Sequence, residues 1–334
     1  SLSHTGTSRI NLDANTSLTL TNPFEIPGGQ TMEMVGVGTG RTVILPDALT
    51  LTGTLKVSSN NYTFNSGKLK LNGGLLNIVE NTDFNTSIDH LASSSISVQP
   101  QKTLKYAGDS IEIGDLTLTL SGGGTIENQK NLVLDKSGSI VAMNGISQVS
   151  AVSVTSALTS GKLSVGTDAV IQTFKHTESS KLEISDNTSL TIQNVFEVPQ
   201  NKSMELTGSD NGTLILGDKL TLSGILRISA PDKLSGGILE LKGGTLSVNE
   251  NSVIESALTH IDQSSINVVS GKTLKYTGNE AKIGALELTM SGGGFLDNSN
   301  DFALNDAASK LAMKGIEISK VSFTEDLTNG QLTV

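Results

Sequence analysis

Apolar and polar residues alternate along nearly the whole chain, in runs of only three to five residues. In its first half such runs fall at 17–20, 24–26, 31–34, 42–45, 49–52, 55–57, 62–64, 68–71, 75–78, 95–98, 103–106, 110–113, 116–120, 132–134 and 139–142. A period of two is the signature of a strand with one face in a core and one in water. Gly, Asn, Asp and Ser separate the runs, which is turn chemistry. Many runs start only six to eight residues apart, closer than the roughly 8–12 residues between turn signals in a hairpin sandwich. Strands this short, joined by tight corners, suit a chain that turns the same way each time. Three sides make a rung of about 20–24 residues, and rungs stack at roughly 4.8 Å. The pattern therefore predicts an all-β, right-handed parallel β-helix, with a pair of β-sandwich domains as the alternative. Two segments have helix-like composition, 255–261 and 302–313. The counterpart of the second, 132–143, is β-branched and interrupted by Gly138, so a strand is expected at 302–313. A short helical excursion stays open for 255–261 and its counterpart 86–91.

The chain also repeats itself. His4-Thr5 returns as His176-Thr177, the segment 15–19 as 187–191, the Lys-Thr-Leu-Lys-Tyr of 102–106 as 272–276, and the Ser-Gly-Gly-Gly of 121–124 as 291–294. The offset drifts from 172 (His4/His176) through 171 (Asp47/Asp218) and 170 (Gly73/Gly243) to 169 (Val165/Val334). Duplication of this kind marks an array built by adding modules. Residues 1–165 form the first repeat, 166–172 a junction whose apolar content suggests a further strand, and 173–334 the second repeat. At 20–24 residues per rung, the array is expected to be a rod of roughly 14–16 rungs and about 70–75 Å.

Composition narrows the function. Apolar residues are 36% of the 334, but aromatics only 3% and Trp is absent, so the core must be aliphatic. Charged residues are 17%, against roughly 25% in an average soluble protein. The net charge of −10 and only three arginines (Arg9, Arg41, Arg227) disfavour nucleic acid, which demands clustered cations. No cysteine is present, which excludes disulfides, thiol catalysis and Cys-ligated zinc. No apolar run approaches the roughly 20 residues that span a bilayer. No leader is visible at Ser1. Either one has been removed or the chain is a segment of a longer protein, and the second is the expectation, since it opens near the start of one copy and stops at the end of the next.

Each candidate for chemistry has a plainer structural reading. The Gly-rich run 36–41 resembles a phosphate loop, but a strand and not a helix is expected after it, and its counterpart 208–212 lacks the glycine spacing. Ser-Gly-Gly-Gly reads as a tight corner requiring positive φ. The four histidines pair as His4/His176 and His90/His260 without ligand spacing around them, so structural or surface roles are expected. Glu25/Glu197 and Glu33/Glu205 could serve acid–base chemistry but sit at polar strand positions. Thr-x-Thr at 19/21, 50/52 and 117/119 is degraded in the second copy, against an ice-binding lattice. No complete calcium loop and no Gly-x-Ser-x-Gly elbow is present. Sequons occur at Asn15, Asn61, Asn85, Asn187, Asn201 and Asn211. No catalytic, cofactor-binding or metal-ligating residue and no cofactor is assigned.

The runs 118–128 and 241–248, with their short aliphatic strands and Gly/Asn corners, resemble the β-helical regions of bacterial surface adhesins of the filamentous haemagglutinin and autotransporter passenger type. That resemblance implies a secreted, extracellular or cell-surface rod that acts as stalk or display surface. Polysaccharide lyases share the architecture, but they use clustered Asp, a placed Arg and often aromatic platforms. Here Arg9 corresponds to Lys181 and Arg227 to Lys56. The expectation is a non-catalytic structural or adhesive segment of a larger repetitive fibre, stacked end to end on neighbouring repeats or subunits, with a host-surface or glycan ligand possible in principle. A carbohydrate-binding or lyase-like module and a phage or viral fibre segment are the alternatives.

Overall fold

The structure, a computed structural model, describes residues 4–208 and 211–334. Among the described residues, the pairings between named strands are parallel. The one antiparallel contact recorded is an isolated bridge, Val269 to Gly293. Among the described residues, no recorded pairing joins consecutive strands. Each pairs with the strand one full rung away, as Met34 does with Val57 and Ile78 with Val98. This is a β-solenoid, and it removes the sandwich alternative, whose neighbours would reverse through hairpins. Among the described residues partner offsets run from 19 residues (Leu71 to His90) to 25 (Phe24 to Leu49), one residue either side of the 20–24 that the spacing predicts.

The chain divides into two compact units between Gln172 and Thr173. In the first, one face stacks Ser8–Asn11, Thr31–Val35, Thr54–Val57, Leu75–Ile78, Ser94–Val98, Thr117–Ser121, Ile140–Met143 and Lys162–Val165. A second face runs through Ser17–Thr19, Arg41–Ile44, Tyr62–Asn65, Thr82–Phe84, Thr103–Tyr106 and Thr125–Asn128. A third includes Phe24–Ile26, Leu49–Leu51, Lys68–Asn72 and Ser87–Ala92. The second unit repeats the plan, with Ser180–Ile184, Ser203–Gly208 and Ile225–Ile228 opening its first face. There the corner between the second and third faces is partly smoothed. Thr213–Leu222 and Lys233–Lys242 each run through it as one ten-residue strand. Residues 166–172 do hold a strand start, Ala169–His176. The helix-like segments are strands too: Ala257–Asp262, Phe302–Leu304 and Lys310–Lys314. Stacking overrides helix propensity, because an extended rung alone gives each backbone amide a partner on the neighbouring rung.

In-register parallel stacking places like side chains over like. One inward ladder on the first face reads Met32, Leu55, Leu76, Ile96, Leu120, Met143 and Val165, none more than 2% exposed. Each such side chain contributes roughly 1.5–3 kcal/mol by leaving water. The few aromatics follow the same rule. Phe64 stacks on Phe84, one rung away, with ring centroids 4.3 Å apart.

Corners are held by polar side chains that point inward. Asn128 ends the second-face strand Thr125–Asn128 and is buried. Its Nδ2 donates to the carbonyls of Lys130 and Ala151, both at 2.6 Å, and its Oδ1 accepts from the amides of Ser150 and Ala151. Asn298 does the same in the second unit, bonding Asn300, and both the amide and carbonyl of Lys320. The Ser-Gly-Gly-Gly corners need their glycines. Gly122 and Gly123 have φ of 97° and 83°, and a Cβ on Gly124 would lie 2.4 Å from the Gln99 carbonyl.

Replacing Asn128 by Ala should cost about 2–4 kcal/mol, because buried backbone donors and acceptors lose their partner. Asn298→Ala should match it. Glu33→Gln, at the centre of a surface ion-pair cluster, should cost under about 1 kcal/mol. Urea unfolding of the three variants checks the order.

Candidate functional site

The repeated polar motifs are mostly occupied in tying one rung to the next. In Lys-Thr-Leu-Lys-Tyr, the Lys102 ammonium lies 2.6 Å from Glu80, and the Thr103 amide donates to Asn81 Oδ1. Leu104 is buried. The Tyr106 hydroxyl donates to the Asp109 carbonyl at 2.6 Å and accepts from the Ile88 amide at 3.2 Å. The second copy repeats each tie: Lys272 to Glu250, Thr273 to Asn251, Tyr276 to Asn279 and Leu258. Burial pushes the Tyr106 and Tyr276 hydroxyls up to about 12, so both remain protonated donors. Gly108 and Gly278 stand where a Cβ would meet that hydroxyl at 2.7 Å.

The paired glutamates are also used in this way. Glu25 accepts from the Thr52 hydroxyl and Glu197 from that of Ser223, while Glu33 and Glu205 accept from Ser58 and Ser229. Glu25 lies on the third face and Glu33 on the first, so they do not converge as an acid–base pair. The hydrogen bond from Ser58, with those from Lys56 and Arg9, lowers the Glu33 carboxyl to about 2.

The four histidines are buried. His90 stacks in register on Leu71 and His260 on Leu241, at core positions of the third-face rows. Each bonds a carbonyl one rung on through Nδ1, Ile113 and Ile283, both at 2.9 Å. Immediately after each lies a β-bulge that expels Leu91 or Ile261 into solvent, a feature the alternation does not announce. His176 Nε2 is 2.8 Å from Ser180 Oγ. Burial depresses the imidazoles of His90 and His260 and takes His176 down to about 4, opposed by the nearby Glu178 charge. Among the described residues no cluster of three or more His, Asp or Glu could hold a metal ion.

The Gly-rich run 36–41 joins two strands, Thr31–Val35 and Arg41–Ile44, and opens no helix. Gly38 and Gly40 have positive φ there. Its counterpart lies partly outside the described residues, at Ser209 and Asp210. Arg41 itself is only 1% exposed. Its Nη2 donates to the Asn60 carbonyl, and its guanidinium lies 4.7 Å over the Tyr62 ring. Among the sequon asparagines, Asn15, Asn61, Asn187, Asn201 and Asn211 are corner residues with positive φ, which explains their abundance structurally.

One surface feature of the first unit is not absorbed by these ties. A cleft of about 590 Å³ is lined by Asp83, Lys105, Glu127, Asn85, Gln129 and Gln172, among others. Asp83, Lys105 and Glu127 stand in register on three successive rungs of the second face, all exposed. Exposed carboxylates two rungs apart, about 10 Å by the stacking distance, lack the burial that a general acid needs. No helix of the described residues is long and apolar enough to cross a membrane. Comparison of the chain with family models, with curated proteins and with solved structures gives no match.

A His whose folded pKa is depressed stabilises the fold above its unfolded value near 6.5, and that stability is lost as pH falls towards the folded value. For His176 the loss between pH 6.5 and about 4 should reach about 3 kcal/mol. His176→Gln should flatten this part of the stability–pH curve, measured by denaturant unfolding from pH 7 to 4.

Proposed function

We propose that this chain is a non-catalytic structural and adhesive segment of a larger, repetitive extracellular assembly. One observation carries the reading: most of the matched polar residues of the two copies are spent on contacts between rungs. A catalytic centre would leave a converging set of them free. The bacterial-adhesin style of the sequence agrees.

The neighbours of such a segment would be further rungs. The rung formed by Glu317–Ile318, Val321–Phe323 and Gln331–Thr333 keeps the alternation of a core layer, yet Phe323 is 56% exposed and Leu332 36%. Their counterparts in the first copy, Val154 and Leu163, are fully buried. Unpaired parallel edges over exposed apolar side chains favour association with another rung.

The isolated chain should therefore associate reversibly, with a concentration-dependent mass in sedimentation equilibrium. Phe323→Lys and Leu332→Lys together should leave a monomer with unchanged circular dichroism. A wild-type chain that stays monomeric at every concentration would count against the assembly reading. Product release from a polysaccharide panel would count against the non-catalytic one.

A further inference from the structure

We infer that the cleft over Asp83, Lys105 and Glu127 is a binding site for an uncharged, linear, hydroxyl-rich polymer, that is, a neutral polysaccharide. The inference rests on the adhesive reading above and adds the ligand class.

Three observations support it. First, Lys105 is the member of its motif that ties nothing. Lys102, Thr103 and Tyr106 all bond neighbouring rungs, whereas Lys105 and its counterpart Lys275 have no side-chain partner among the described residues. Asp83, Glu127 and Gln129 beside it are similarly unengaged and exposed. Second, the cleft follows the stack. Its lining runs from Asp83 through Lys105, Glu127 and Ser150 to Gln172, one rung at a time, about 19 Å along the stacking direction. A linear polymer can follow such a row. Third, the second unit keeps the lysine and one carboxylate of the row but has lost Asp83. Its equivalents are Val253, Lys275 and Asp297, while Glu255, in place of Asn85, is paired with Lys233 at 2.8 Å. The rungs there stack equally well, so stacking does not require Asp83.

The lining selects the ligand class. Charge along the row alternates negative, positive, negative, so neither a polyanion nor a polycation gains along its length. Ala107 is the exposed apolar side chain in the lining, which gives a lipid or an apolar peptide little to bury. The second-face strands here are already paired to the rungs on either side, so a peptide cannot add as a further strand. Carboxylates, an ammonium and amides in a row are what a chain of hydroxyls, each both donor and acceptor, can satisfy.

The test is affinity electrophoresis of the intact chain through gels containing dextran, mannan or galactomannan, with pectate and heparin as charged comparisons. At least one neutral polymer should retard the wild type. Asp83→Val, which installs the second unit's residue, and Lys105→Ala should each weaken that retardation about tenfold, the effect of losing roughly 1.4 kcal/mol, with circular dichroism unchanged. Retardation by no neutral polymer, by charged polymers alone, or equally in wild type and both variants overturns the site. Reducing ends released from a retarding polymer would instead overturn the non-catalytic reading and leave the ligand class standing.

Discussion

Parallel pairing of each strand with the strand one rung away is the constraint from which the rest follows. Once the backbone amides of a rung are satisfied by its neighbours, the side chains have no freedom of register. A one-residue slip would turn an inward Leu outward along the whole strand. Like then stacks on like, and a largely aliphatic core forms from ladders such as Met32 to Val165, with the few aromatics stacked among them. Leu, Ile and Val fill most of the interior, and buried aromatics such as Tyr62, Phe64 and Phe84 take places among them.

The same constraint concentrates the demand for polar chemistry at the corners. A strand can satisfy its own amides against its neighbours, but a corner breaks the ladder, and the groups it frees lie close to a dry core. Asn128 and Asn298 bridge them with an amide that donates and accepts at once. Tyr106 and Tyr276 reach back to the corner that follows their own strand, and Glu80–Lys102 with Glu250–Lys272 tie rungs from outside. The same ties recur in both copies. Retention in both copies therefore does not by itself mark a binding site here. The informative positions are those that carry a reactive or polar group and tie nothing, such as Lys105, or those where the copies part, such as Asp83 and Val253.

Arg41 and the histidines show the cost side of this architecture. Arg41 occupies an inward position, its guanidinium lying over Tyr62 with one carbonyl as hydrogen-bond partner and its Nε and Nη1 buried without one. Burial opposes the charge of the His90, His176 and His260 imidazoles, which makes them a reservoir of acid sensitivity inside a largely aliphatic interior.

What the sequence determined by itself was the local geometry. The period of two marked the strands, and Leu75–Ile78 and Thr103–Tyr106 fall where the alternation places them. Gly and Asn marked the corners, and the close spacing implied parallel coiling with rungs of 20–24 residues. These are short-range properties, set by residues a few positions apart. The tertiary structure decided everything that depends on which rungs meet. It turned 255–261 and 302–313 into strands, fused two corners of the second unit into ten-residue strands, expelled Leu91 and Ile261 through bulges, and buried Arg41. It also set Asp83, Lys105 and Glu127 in one row although they lie 22 residues apart in the chain. Alternation gives the side to which a residue points. Only the stacking register, summed over a whole rung, gives the residue that stands beside it.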